Sequence, residues 1–204
     1  VQFLDTQYRM HRALTEFSSM EFYGGQLKTA KSLRRDMPKG FPWPIKDYPL
    51  CFIHVDGFHE SRNVWMSTEN EKEAHLIVNI ASMLFQQNWR NGRVTIITPY
   101  RAQRENIEDK LNSLCGGYHK QCEVIIFSAV RANDMNSIGF LKERPRVNVM
   151  LTRPKSGLIV VGNLHTLSKE ILWNKWLTHV VVKNKSFVDS RVLEQNTDLN
   201  ISTK

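Results

Sequence analysis

Four apolar runs of strand length punctuate the chain: Leu50–Val55 (LCFIHV), Arg93–Thr98 (RVTIIT), Glu123–Ser128 (EVIIFS) and Gly157–Gly162 (GLIVVG). Their inner positions do not alternate with polar residues, so both faces of each strand must be covered, as in a parallel sheet between two helical layers. The segments between them supply such layers. From about Glu69 to Asn88, Ile77, Ile80, Ala81, Leu84 and Phe85 fall along one helical face, with Thr68 and Glu71 at capping-box spacing. From Arg101 to Leu114, Ile107, Leu111 and Leu114 repeat in the same way and stop at Gly116-Gly117. His179–Val182 (HVVV) reads as a fifth strand. The expected class is therefore α/β, a parallel sheet with helices on both faces.

Domain organisation follows from where this alternation begins. Lys31–Pro49 contains four prolines and Trp43 and reads as a loop or linker. Residues 1–49 then form a helix (Met10–Phe22) and linker packed on the outside of a core at 50–195, and 196–204 is a polar, frayed tail. At 204 residues and 41% hydrophobic, one good core is the expectation. Trp43, Trp65, Trp89, Trp173 and Trp176 read as packing or rim residues, the last two sharing one helix face.

Charge points to a class of partner. Lys and Arg number 28 against 20 Asp and Glu, for a net charge of +8, which suits a polyanion such as nucleic acid. No run approaches the ~18 apolar residues of a membrane span, and no charged-then-apolar leader opens the chain, so no membrane partner and an intracellular location, cytoplasmic or nuclear, are expected. Three cysteines, Cys51, Cys115 and Cys122, cannot make an even disulfide framework, in keeping with a reducing compartment. Cys115, His119 and Cys122 match no common zinc spacing, so no metal site is expected.

In sheets of this kind, ligands bind where loops leave the carboxyl ends of the strands. Pro99-Tyr100-Arg101-Ala102-Gln103 follows one strand, and Ala129-Val130-Arg131-Ala132-Asn133 another. Arg101, Arg131 and Lys155 would bring positive charge to that edge, Thr98 and Ser128 hydroxyls for phosphate oxygens, and Tyr100 a ring for base stacking. The bland alternative is that Tyr100 and its neighbours only cap the following helix. Two further stretches, Leu4–His11 (LDTQYRMH) and Arg146–Asn163 (RVNVMLTRPKSGLIVVGN), each set an arginine, Arg9 or Arg153, among polar residues beside an apolar element.

These residues occur in a recognisable order: Gln7-Tyr8-Arg9-Met10-His11, Phe22-Tyr23-x-Gly25-x-Leu27, Asn70-x-x-Glu73-Ala74, Ile97-Thr98-Pro99-Tyr100-x-x-Gln103, Val130-Arg131-Ala132-Asn133, Ile138-Gly139-Phe140-Leu141 and Arg146-Val147-Asn148-Val149-x-Leu151-Thr152-Arg153-x-Lys155. Over about Leu4 to Leu177 the chain resembles the second RecA-like domain of the superfamily-1 helicases that include the nonsense-mediated-decay helicase and senataxin. The resemblance implies a RecA-like fold of the P-loop NTPase type, with ATP and Mg between this domain and a first RecA-like domain. It implies single-stranded RNA or DNA crossing both. Arg9 and Arg153 match the arginines that reach the γ-phosphate from this side and stabilise transition-state charge. Gln7 and Tyr8 match positions near the nucleotide. Thr98, Pro99, Tyr100, Arg101, Ser128, Arg131 and Asn133 lie in or beside motifs that line the nucleic-acid track.

The chain also departs from that pattern. It carries no G-x-x-x-x-G-K-[ST] loop and no Asp-Glu pair after an apolar strand, so by itself it is expected not to hydrolyse ATP. The family's strand and V-D-x-F-Q-G-x-E motif are reduced to Cys115–Cys122, with Gln121 where the glutamate of that motif would stand. Loss of an interior strand would leave a gap or an exposed edge. Val55-Asp56-Gly57-Phe58-His59-Glu60 mimics the motif out of order and reads as a decoy. Pro154 follows Arg153 and restricts it, and Arg12 stands where a proline is usual. The competing reading is a non-catalytic, helicase-derived module that binds nucleic acid or protein. A dinucleotide-binding domain is disfavoured, since no G-x-G-x-x-G follows any strand.

Overall fold

The computed structural model describes residues 4–57, 59–87, 93–112, 123–135 and 137–193. In chain order they form β1 (Thr6–Gln7), α1 (Arg12–Tyr23), β2 (Lys28–Thr29), β3 (Leu50–His54), β4 (Glu60–Arg62), β5 (Thr68–Asn70), α2 (Glu71–Gln86), β6 (Val94–Ile97) and α3 (Arg101–Asn112). There follow β7 (Val124–Ser128), a 3₁₀ turn (Gly139–Lys142), α4 (Arg144–Leu151), β8 (Gly157–Gly162), α5 (Leu164–Leu167), α6 (Ile171–Leu177), a π-helix (Thr178–Lys183) and β9 (Phe187–Asp189).

The four apolar runs become β3, β6, β7 and β8 of a five-stranded parallel sheet ordered β6-β7-β8-β3-β9. Alternate side chains divide its two faces. Leu50, Phe52, Ile125, Phe127, Leu158 and Val160 pack with α1, α4, α6 and the π-helix, while Cys51, Ile53, Val124, Ile126, Ile159 and Val161 pack with α2 and α3. This is the α/β arrangement the strand pattern called for, in the RecA-like form that the family resemblance implied. α1 is more than an external attachment, because Met10, Ala13, Leu14 and Phe17 lie in the same apolar cluster as the strands.

Two expectations need correction. His179–Val182 is not a strand: it continues α6 as a π-helix, and the fifth strand is β9, which pairs with β3 and is preceded by Ser186 donating to the Leu50 carbonyl. Asn70 rather than Thr68 caps α2, its side chain accepting from the Glu73 N–H. β6 pairs directly with β7, so the sheet has no interior gap, and among the described strands β6 lies at one edge. Cys115–Cys122, the Gly116-Gly117 stop, Trp89 and the 196–204 tail lie outside the described residues.

Candidate nucleotide and nucleic-acid site

Two motif segments far apart in sequence meet at Arg9 and Arg153. The turn after β1 is folded around the Gln7 carboxamide, whose Oε1 accepts from the N–H groups of Arg9 and Met10, both at 2.7 Å. Its Nε2 faces the Met10 carbonyl (2.9 Å), Thr15 Oγ1 (3.0 Å) and Thr29 Oγ1 (2.7 Å). Gln7, expected at the nucleotide, is thus used within the turn and positions its neighbours. The His11 N–H donates to the Lys155 carbonyl at 2.7 Å, and its Nδ1 accepts from the Ala13 N–H to cap α1. Arg9 donates through Nε (3.3 Å) and Nη2 (2.7 Å) to the main-chain oxygen of Arg153, just past the end of α4. Tyr8, Arg9 and Arg153 are exposed.

A second group of motif residues is buried at the carboxyl ends of the strands. Gln103, the last residue of the T-P-Y-x-x-Q pattern, accepts from the Asn70 N–H (2.7 Å) and donates to the Asn70 carbonyl (3.2 Å) and to Ser128 Oγ (3.0 Å). Ser128 in turn donates to Glu73 Oε2 at 2.7 Å, which also accepts from the Val130 N–H at 2.9 Å. Asn70 Nδ2 donates to the Val130 carbonyl. Val130 is fully buried at φ +68°, a conformation that a β-branched residue adopts only when its surroundings impose it. Burial pushes the Glu73 carboxyl up to about 8, against the bonds from Ser128 and Val130 and reinforced by the charge of Glu60.

Glu60, the last residue of the Val55–Glu60 stretch that follows β3, is tied into the Arg131–Asn133 loop. Its carboxylate accepts from Arg131 Nε (3.1 Å) and Nη2 (3.2 Å), from the Ala132 N–H (2.7 Å) and from Asn133 Nδ2 (2.9 Å). Burial pushes this carboxyl up, but those donors outweigh it and hold it below the usual carboxylate range. The positive charge expected of Arg131 at this edge is therefore matched internally, with its side chain 10% exposed. Asn133 also donates to the Ser137 carbonyl and accepts from the Ser137 N–H, which closes the loop. Ser128 and Asn133 shape the loop; they do not present themselves to a ligand in this arrangement.

Tyr100 is likewise buried. Its ring packs 5.9 Å from Phe140 and its hydroxyl donates to the Ile138 carbonyl, so no face is offered to a base. Gly139 makes this packing fit: at φ +54°, a Cβ there would stand 2.7 Å from Arg131 Nη1 and 2.8 Å from Tyr100 Oη. Arg101, by contrast, is exposed and paired with Glu105 at 2.7 Å, and Lys155 pairs with Glu123. Thr98, Pro99 and Arg153 share the wall of one apolar cleft of about 560 Å³ with Phe127, Phe140 and Trp173. Gln121 lies outside the described residues. Sequence reading missed Glu60 and gave no role to Glu73 or Gln103, although N-x-x-E and T-P-Y-x-x-Q contain the last two. Among the described residues no group of three or more His, Cys, Asp or Glu is placed to hold a metal, and no helix is long and apolar enough to cross a membrane.

Comparison with known proteins places the chain in a family. Residues 1–165 match the family described as AAA domain. "Regulator of nonsense transcripts 1" of Dictyostelium discoideum is 38% identical over 198 residues, covering 89% of this chain and 15% of that protein. "ATP-dependent helicase NAM7" of Saccharomyces cerevisiae is 34% identical over 194 residues, covering 86% of this chain and 20% of that protein. "Helicase SEN1" of the same yeast is 33% identical over 193 residues, covering 83% of this chain and 8% of that protein. The chain thus spans a small part of the length of these relatives. With its ordered motifs on a parallel RecA-like sheet, the chain belongs to the AAA domain family, among the superfamily-1 helicases of the nonsense-mediated-decay and senataxin type.

Proposed function

We propose that the chain is the second motor domain of an ATP-dependent RNA or DNA helicase. In this reading it presents Arg9 and Arg153 to the phosphates of an ATP held mainly by a first RecA-like domain. The union of Arg9 with the Arg153 main chain carries the reading, because it brings two exposed cationic residues 144 positions apart in the chain to one place. Guanidinium forks fit phosphate oxygens, and at that position they stabilise charge that develops during phosphoryl transfer. Mg accompanies the ATP and shields its phosphate charge; carboxylate ligands for it belong to the other domain. Closure of the two domains would then be required for turnover, and opening would move a single strand across the carboxyl-edge loops.

A second reading, a non-catalytic module that binds nucleic acid or protein, is favoured by Gln121 standing where the family motif has its glutamate and by Pro154 directly after Arg153. ATP turnover separates the two. A protein that joins this chain to a first RecA-like domain should hydrolyse ATP faster with single-stranded RNA or DNA, and Arg153→Ala should remove that turnover. The 204-residue chain alone should show none. Turnover by the joined protein that is indifferent to Arg153→Ala would sink the motor reading, and strand binding without any turnover would favour the module.

A further inference from the structure

The carboxyl edge also carries an aromatic side chain that no packing explains. Trp65 is 81% exposed at the tip of the β4–β5 hairpin, between Val64 at 90% and Met66 at 67%. An indole is among the costliest side chains to leave in water, and the other fully described tryptophans, Trp43, Trp173 and Trp176, are buried or half-buried. The tip is held in shape by its own turn. Asn63 Oδ1 accepts from the N–H groups of Trp65 (3.0 Å) and Ser67 (3.1 Å), Met66 N–H donates to the Asn63 carbonyl, and the Asn63 N–H donates to the Ser67 carbonyl. Met66 takes φ +58° to close it.

The base of the hairpin is tied to both loops that carry nucleic-acid motifs. Glu60, at the start of β4, holds Arg131, Ala132 and Asn133. Ser67, two residues from the indole, accepts through Oγ from the Ala102 N–H at 3.1 Å, at the start of α3 behind Thr98–Arg101. Two residues reach about 7 Å at most, so the Trp65 backbone lies within that distance of the residue that binds the helix start. The hairpin follows β3 directly and therefore rises from the same carboxyl edge. Exposed arginines lie on the same elements: Arg62 ends β4, and Arg101 and Arg104 lie on the first turn of α3, each beside a glutamate four residues on, Glu105 and Glu108.

From this geometry we infer that Trp65 is a nucleic-acid contact, a rigid platform on which one base of a bound single strand stacks. The inference rests on the nucleic-acid reading given above and names a residue outside the motifs that carry it. An exposed indole on a hydrogen-bonded turn, arginines on the adjoining elements, and anchorage to the loops that carry the expected nucleic-acid motifs are what a sequence-tolerant stacking site requires. It also supplies the base contact that buried Tyr100 does not.

The test is equilibrium binding of fluorescein-labelled single-stranded oligo(U) and oligo(A) RNA to the full 204-residue chain and its Trp65→Ala and Trp65→Phe variants, across a salt series. Trp65→Ala should weaken binding about tenfold with an unchanged salt slope, since no phosphate contact is removed, while Trp65→Phe should stay within about threefold. The thermal midpoint of both variants should match the parent's, because the side chain buries little. Equal affinity of parent and Trp65→Ala would overturn the inference and leave the nucleic-acid reading standing. Absence of RNA binding by the parent would overturn both. Unchanged RNA affinity with loss of concentration-dependent self-association in Trp65→Ala would assign the tip to a second copy of the chain and also overturn the inference.

Discussion

Arg9 donates two hydrogen bonds to the main-chain oxygen of Arg153, 144 residues downstream, and the neighbouring His11 N–H donates to the Lys155 carbonyl. These bonds fasten the turn after β1 to the chain leaving α4, so that the Arg9 guanidinium is held by the backbone that carries Arg153. Replacement of Arg9 by Ala should therefore act twice on an ATP-hydrolysing parent, by removing one guanidinium and by freeing the main chain that carries the second. Turnover should fall by at least ~10³-fold, the range of a lost arginine finger. Because Arg9 is exposed, thermal stability of the isolated chain should move little; a melt alongside the ATPase assay checks both halves.

Glu60 and Arg131 offer a test of the loop rather than of the phosphate site. The pair is largely buried and bidentate, and truncation of one partner leaves the other uncompensated. Glu60→Ala should cost about 3–5 kcal/mol in urea unfolding. The double variant with Arg131→Ala should be clearly less unstable than the sum of the two singles. Additive losses would mean that the pair does not couple.

The sheet was legible because its central strands are apolar throughout, a local signal that each run carries by itself. HVVV misled because a run of three valines after a histidine does not distinguish a strand from the end of a helix. In the structure Val180 is buried and Val182 exposed, as the continuation of α6 requires. β9 escaped notice because Phe-Val-Asp is three residues long and only half-buried. At the site, the motifs marked which residues assemble but not what each one does. Gln7, Ser128, Tyr100, Arg131 and Asn133 match positions expected at or near ligands, and each has protein partners in the fold. The partners of Arg131 lie 71 residues away on a hairpin, and no local pattern encodes such a pairing.

Gly139 is the residue in this region for which no side chain can substitute. Gly139→Ala would add a strained φ of +54° and force its Cβ against Arg131 Nη1 and Tyr100 Oη. About 1–2 kcal/mol of lost stability is expected from the backbone alone. Gly139→Ala should also weaken any single-strand affinity of the chain, since both displaced groups belong to the loops of the carboxyl edge. A denaturation curve and a binding titration on the same sample would separate the two effects.

Glu73 gives the pH dependence a definite sign. In the unfolded chain its carboxyl titrates near the ordinary value of 4.5, whereas burial, with Glu60 nearby, raises it to about 8 in the folded protein. The folded state therefore holds a proton that the unfolded state releases, so this group favours folding at acid pH and loses that contribution as pH rises from about 4.5 to 8. The loss amounts to a few kcal/mol on the order-of-magnitude scale of such shifts. Glu73→Gln keeps an oxygen to accept from Ser128 and the Val130 N–H but cannot ionise, so its stability should be flat across that window. Urea unfolding of parent and variant at pH 5, 6.5 and 8 checks this. Parallel curves at all three values would place the titration elsewhere, whereas a gap that widens toward pH 8 would show that deprotonation of Glu73 loosens the strained turn at Val130 on which the Arg131–Asn133 loop is built.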